Sequence, residues 1–227
     1  MQQNRTLRIV DVALCSVLAL ATVPLLAVTT AFVFLVSGSS LLLRQSRIGL
    51  HGEPFELLKL RTMKVDAEQR DQPVIASLDD DRIIWGGRTI RALHLDELPQ
   101  LINVLRGDMS LVGPRPERPE FVERLRDSLA DYDERHRLPP GITGVAQVTG
   151  GYYMDPVDKL ERDLEYVRHP TPRRYLSVLA ATPLAVVRDV FFTHTAQPEQ
   201  LDRSTSDTVQ RPVQLVGSSS GAERSTR

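Results

Sequence analysis

Apolar positions run almost unbroken from Val12 to Leu43, 32 residues without a single Asp, Glu, Lys or Arg. A straight helix of that length reaches about 48 Å, against roughly 30 Å of hydrocarbon in a bilayer. The run must therefore bend, tilt or stop early. Pro24 removes a backbone donor and crowds the preceding turn, which predicts a kink near the middle. Arg5 and Arg8 precede the run, and Arg44 and Arg47 follow it. Basic residues favour the cytoplasmic side of a membrane, so both ends ask for the same side. A re-entrant, Pro-kinked helix hairpin satisfies both clusters. It is preferred to a straight single span, which strands one pair outside, and to a cleaved signal peptide, whose apolar region is usually about 7 to 15 residues. Thr22 is placed to return its hydroxyl to a carbonyl freed at the kink.

Beyond the run the pattern shortens. Arg44 to Ile48 and Phe55 to Arg61 read as two extended pieces around the turn Gly49-Leu50-His51-Gly52-Glu53-Pro54, a small β-hairpin. Asp66 to Asp81 is polar and reads as a solvated loop, its three terminal Asp residues included, in preference to a metal site. Helices are predicted over Arg88 to Leu93 and over Asp96 to Leu105, the second with Pro99 in its first turn and Gly107 at its end. The proline-dense loop Val112 to Pro116 interrupts, and a helix resumes from Glu117 to about Leu129. After the rigid turn Pro139 to Gly144, a short strand is expected at Val145 to Val148. Two late helices follow, Pro156 to Arg168 and Arg173 to Phe192. The last is strongly apolar and suits either core packing, the default, or the bilayer interface, with a kink at Pro183. The whole reads as an α-rich α+β membrane-associated domain with several amphipathic interfacial helices. It divides into a membrane segment at 1–43, a folded domain at 44–193 and a disordered tail at 194–227, where polar composition cannot bury a core.

Composition then narrows the chemistry. The 227 residues carry 28 Lys+Arg against 29 Asp+Glu, a formal charge of -1, so no global basic field invites nucleic acid. The lone Cys15 excludes an internal disulfide framework and reads as a small buried hydrophobe. Phosphate-cradling Gly-rich loops, the serine-hydrolase elbow, HExxH and paired Cys are all absent. What remains is the adjacent pair Asp96-Glu97, preceded by Arg88 and Arg91 and followed by Arg115 between two prolines. A helix start favours an ionised carboxylate and attracts phosphate, so one corner suits a nucleophile and its substrate, although acid there is also routine capping. Flanking prolines give Arg115 a stiff backbone that can aim a guanidinium fork at phosphate, or simply make a surface turn. Residues 44–64 hold five basic and two acidic side chains, which fits an anionic partner at the lipid surface or plain topological anchoring.

Those residues resemble the bacterial sugar transferase family, the monotopic phosphoglycosyl transferases. The most specific block runs Leu95-Asp96-Glu97-Leu98-Pro99-Gln100-Leu101-Ile102-Asn103-Val104-Leu105-Arg106-Gly107-Asp108-Met109-Ser110-Leu111-Val112-Gly113-Pro114-Arg115-Pro116-Glu117. Supporting blocks are Arg44 to Gly49, Lys59 to Lys64 and Pro140 to Val148, and the likeness covers about residues 5 to 192. The resemblance implies transfer of a sugar-1-phosphate from a nucleotide sugar, a UDP-sugar, to polyprenyl (undecaprenyl) phosphate. UMP is released and Asp96 carries the phosphosugar as a covalent intermediate. It implies Mg2+ held by Asp96 and Glu97, Glu97 also serving in acid-base chemistry, with Arg91 and Arg115, and more weakly Lys59 and Arg61, on the phosphates. It further implies a bacterial inner-membrane enzyme in contact with membrane lipids, its active site on the cytoplasmic face. Such an enzyme initiates an exopolysaccharide, capsule, O-antigen or glycoprotein glycan.

Two positions depart from the family pattern. The Ser-Pro pair at the membrane kink is Val23-Pro24 here, and His94 stands where a small hydroxyl residue is usual. The chain resembles the minimal catalytic form, without the multi-span N-terminal region of larger relatives. The sequence leaves homodimer formation, the sugar and the glycan pathway open. The competing classes are a non-catalytic membrane scaffold or regulator of the same fold that binds lipid or nucleotide, and a phosphohydrolase acting on the same lipid.

Overall fold

In the computed structural model, the apolar run forms a single helix, α1, Arg5–Ser37, with Pro24 inside it. The structure describes residues 5–38, 41–64, 80–150 and 154–192. The expected loop at 66–81, apart from its last two residues, and the expected tail lie outside these. Both ends of α1 are built into the rest of the chain. Near its start, Leu7, Asp11 and Cys15 are buried, Arg8 donates to the carbonyls of Val104 (2.6 Å) and Leu105 (2.9 Å), and Cys15 Sγ donates to that of Leu101. Near its end, Val33 packs with Ile84 and Ile90, and the Phe32 ring lies 5.6 Å from that of Trp85. Between Cys15 and Thr29 no residue is buried. Pro24 has no N–H to offer the carbonyl of Leu20, and the Thr22 hydroxyl does not replace it. It donates instead to the carbonyls of Leu18 (2.8 Å) and Ala19 (3.3 Å).

The hairpin forms as the alternation predicts. β1, Leu42–Ile48, pairs antiparallel with β2, Pro54–Leu60, from Leu42 opposite Leu60 to Ile48 opposite Pro54. The free edge of β2 is completed by a side chain. Asn103 Oδ1 accepts from Leu58 N (3.1 Å), while its Nδ2 donates to the Glu56 carbonyl (2.7 Å). One amide thus imitates a neighbouring strand and fixes the hairpin to the helix that carries Asn103.

That helix begins later than its periodicity suggests. α2, Gly87–Ala92, is followed by a 3-10 turn at Leu95–Glu97, and α3 covers only Gln100–Arg106. The expected helix from Asp96 is broken because Pro99 cannot donate to the Leu95 carbonyl. Leu98 N takes that carbonyl in an i→i+3 bond, and Leu101 N likewise bonds Leu98. The helix expected from Glu117 likewise starts late, as α4 at Pro119–Ser128, since a residue before proline avoids helical geometry and Arg118 is extended.

The strand expected at Val145 to Val148 is instead a short helix, α5, Val145–Gly150, whose Val145 and Val148 pack on the main core. The strand falls just before it. β4, Gly141–Thr143, runs parallel to β3, Ser110–Val112, inside what read as a rigid turn. A parallel partner some thirty residues away leaves no local signature. The glycines around this pair are steric necessities: a Cβ on Gly113 would lie 2.4 Å from the Pro139 carbonyl, and one on Gly141 2.1 Å from Gly113 N.

α6 spans Pro156–Arg168, as expected, with Asp155 as its cap. α7 spans Pro172–Phe192 and continues through Pro183. One face of α7 enters the main core through Tyr175 and Val178, as the default expectation has it, while Leu176, Leu184 and Val187 stay exposed. The main core gathers Leu57, Val104, Met109, Leu111, Val112, Tyr166, Tyr175 and Val178 together with Leu7 and Cys15 of α1. A smaller one joins α4 and α6 through Val122, Leu129, Tyr132, Leu160 and Leu164.

Candidate active site

The turn bearing Asp96 and Glu97 starts from a strained residue. His94 sits in the left-handed region at φ 54°, ψ 23°, which ends α2 and lets the chain close a tight turn instead of continuing the helix. Both carboxylates of that turn are buried, each 7% exposed. Their surroundings differ sharply.

Glu97 is surrounded by cations. Its Oε1 accepts from Lys59 Nζ at 2.8 Å and from Arg115 Nη2 at 2.7 Å, and its Oε2 is 3.9 Å from His94 Nδ1. Lys59 comes from the end of β2 and Arg115 from the loop after β3. One carboxylate thereby draws together three segments distant in sequence. Burial pushes the Glu97 carboxyl up, but Arg115 and Lys59 outweigh it and hold it well below the usual carboxylate range.

Asp96, by contrast, makes no hydrogen bond or ion pair among the described residues. Burial raises its pKa, the charge of Glu97 adds to the rise, and Lys59, Arg91 and His94 oppose it incompletely. Two neighbouring acids are thus driven apart, Glu97 firmly ionised and Asp96 raised and without a bonded partner among the described residues. The structure brings Asp96, Glu97, Lys59 and Arg115 into one cluster and sets Arg91 close enough to act on Asp96 electrostatically. Arg61, just past β2, has its Nε buried without a partner.

Among the described residues no three His, Cys, Asp or Glu side chains converge as a metal cage. The donor set nonetheless suits a divalent cation that keeps most of its water and shares substrate phosphates, since such ions need only one or two protein carboxylates. Asp96 supplies an uncompensated oxygen pair. Glu97 retains Oε2, its other oxygen being taken by Lys59 and Arg115.

Behind Arg115 lies a second layer that the sequence pattern did not reveal as functional. Arg135 and Asp163, 2.6 Å apart and 3% and 2% exposed, form a buried pair, and Arg135 also donates to the Tyr132 hydroxyl (2.7 Å). Glu117 is bonded by Lys159 and lies 3.9 Å from Arg47. Despite burial, these cations and Arg135 bring its carboxyl down to about 2. A signal for Asp163 did exist: it interrupts the buried stripe Leu160, Leu164, Val167 of α6, and a charge on an apolar face requires a partner. Membrane position has one direct correlate. α1 is long and apolar enough to cross a bilayer, with 11% of its most apolar stretch buried.

Comparison with known proteins places this geometry among relatives. The family model described as bacterial sugar transferase matches residues 2–189. A UDP-glucose:undecaprenyl-phosphate glucose-1-phosphate transferase of Caulobacter vibrioides is 44% identical over 145 residues, 63% of this chain and 53% of that protein. An uncharacterized sugar transferase of Bacillus subtilis is 41% identical over 160 residues, 70% of this chain and 76% of its own. A UDP-N-acetylgalactosamine-undecaprenyl-phosphate N-acetylgalactosaminephosphotransferase of Aeromonas hydrophila is 40% identical over 149 residues, 64% of this chain and 35% of that protein. The chain thus spans about half the length of the Caulobacter relative and a third of the Aeromonas one.

Proposed function

This chain belongs to the bacterial sugar transferase family, and from that premise we propose that it transfers a sugar-1-phosphate from a UDP-sugar to undecaprenyl phosphate and releases UMP. The observation that carries the reading is the division of labour in the acidic pair. Glu97 is consumed in gathering Lys59 and Arg115, which leaves Asp96 buried, unbonded and available as a nucleophile.

In the first step an Asp96 carboxylate oxygen attacks the sugar-bearing phosphorus. An Asp96 O–P bond forms, the P–O bond to UMP breaks, and its electron pair leaves with UMP. A phosphate oxygen of the polyprenyl acceptor then attacks the same phosphorus. The Asp96 O–P bond breaks, the carboxylate is regenerated and the lipid departs as a sugar-bearing diphosphate. Arg115 and Lys59 neutralise charge on the transferring phosphoryl group, with Arg91 and Arg61 on the outer phosphates. Asp96 and Glu97 would hold Mg2+, which when bound would supply further neutralisation of the diphosphate. Splitting the exchange in two lets a water-soluble donor and a membrane-bound acceptor occupy one site in turn.

The same reading puts α1 in the bacterial inner membrane as a re-entrant hairpin, with the site on the cytoplasmic face. Contacts at both ends of α1 with the same folded unit, and the unburied stretch between Cys15 and Thr29, support an apolar bow entering and leaving through one leaflet. The known names of relatives differ in sugar, so the donor is tested by a panel. Purified protein with undecaprenyl phosphate is offered UDP-sugars in turn and UMP is measured. Release with at least one donor is expected. Release with none, or inorganic phosphate without nucleotide, would refute the transferase reading in favour of a scaffold or a phosphohydrolase.

A further inference from the structure

The Pro114-Arg115-Pro116 segment is held by its carbonyls. Pro114 and Pro116 have no N–H, so two of the three usual donors are missing and the segment cannot join a strand ladder on its own account. Yet every carbonyl in it is bonded. Gly141 N donates to Pro114 O at 2.9 Å, Arg135 Nη2 to Arg115 O at 3.0 Å, and Arg47 Nη1 to Pro116 O at 3.0 Å. The two arginines come from separate elements. Arg47 lies one residue before the end of β1, and Arg135 lies in a 3-10 turn, Tyr132–Arg137.

We propose that Arg47 and Arg135 are positioning residues for the transfer, gripping the carbonyls of Pro116 and of Arg115 itself so that the Arg115 guanidinium is delivered to Glu97 and the substrate phosphate. The proposal rests on the transferase reading above. Arg135 is paired with Asp163 at 2.6 Å, and Arg47 donates its Nε and Nη2 to Gln45 Oε1 with Glu117 3.9 Å away, so each reaches the Arg115 segment through its carbonyl contact. Burial alone would leave such cations costly. Held by these partners, they make a clamp on two successive carbonyls from two separate elements.

A double-mutant cycle separates positioning from direct contact and from simple destabilisation. Arg47→Met, Arg115→Met and the double variant are compared for UDP-sugar affinity by calorimetry, for UMP release and for melting temperature. Arg47→Met alone is expected to weaken UDP-sugar binding about tenfold, the effect of letting the Arg115 fork wander. In the Arg115→Met background the same change is expected to do nothing further. Multiplying effects in the double variant would overturn the proposal, because Arg47 would then act without Arg115. A loss explained by melting temperature in both backgrounds would overturn it too. Should Arg47→Met fail to fold, Arg47→Lys, which keeps the charge and loses the fork, enters the same cycle. Because binding is measured directly, a wild type that binds UDP-sugar without releasing UMP refutes the transferase reading and leaves the cycle readable. A wild type that does not bind refutes both.

Discussion

Asp96→Asn tests whether the proposed nucleophile is kept poised at the expense of the fold. The side chain is 7% exposed and lacks any bond among the described residues, and burial, followed by the neighbouring charge of Glu97, raises its pKa. Partial desolvation of a charged carboxylate costs on the order of 1 kcal/mol or more. An amide keeps the polar part of that cost and removes the charge, so the variant should gain about 1 kcal/mol, or roughly 2–4 °C for a chain of this size. The pH dependence has a definite sign. With the folded pKa above the unfolded one, the native state keeps a proton that the unfolded chain has released. The Asp96 contribution to wild-type stability therefore falls as pH rises through that window, and its full cost is present above it. The gap between Asp96→Asn and wild type should vanish near the ordinary aspartate value of 3.8 and widen toward higher pH. The assay is thermal unfolding in detergent with chelator and no nucleotide, since a bound ligand would stabilise wild type by mass action. UMP release by the same variant should be abolished. A melting temperature at or below wild type at pH 8, with no widening gap, would refute the picture of a strained, unsatisfied carboxylate.

Two further outcomes follow from single side chains. Arg61→Met should leave melting temperature unchanged or higher, because the buried Nε has no partner, while raising the KM for UDP-sugar about tenfold; unchanged KM would remove Arg61 from the phosphate site. Asp11→Ala should cost about 3–5 kcal/mol in thermal unfolding. Its Oδ1 alone accepts from Ser110 Oγ (2.9 Å), Leu111 N (2.8 Å) and Tyr175 Oη (2.7 Å), and Asp11→Asn, which keeps that oxygen, should lose much less.

Elements that depend on local pattern were legible in the sequence. The hairpin followed from alternation and a six-residue turn, and α6 from its cap and apolar stripe. Two expectations fail, each for its own reason. Pro99 was read as a tolerated first-turn proline, yet the bond that matters is the one it cannot make to Leu95, which moved the helix start to Gln100 and put the acidic pair on a 3-10 turn. Val145 to Val148 carried strand propensity, but the pairing that decides strand position is parallel and non-local, so the ladder formed at Gly141–Thr143 where backbones can approach without Cβ atoms. In the site, residue types and the family motif named Asp96, Glu97, Lys59 and Arg115. That Glu97 would absorb both cations and leave Asp96 bare required knowing which segments meet.

The joint role of Asp11 changes how the apolar helix should be regarded. A helix that served only as an anchor would need no charge in its first three turns and no share of the main core, yet α1 places there a carboxylate that binds both β3 and α7. β3 leads directly into Gly113 and the loop that carries Arg115, and that loop meets Glu97 at 2.7 Å. The loop that carries Arg115 is thereby tied through one strand to the long apolar helix α1. On the transferase reading proposed above, the donor would come from water and the acceptor phosphate would stay at the bilayer surface, so the site would have to be held at headgroup depth, and a buried three-donor carboxylate does that more rigidly than an exposed ion pair.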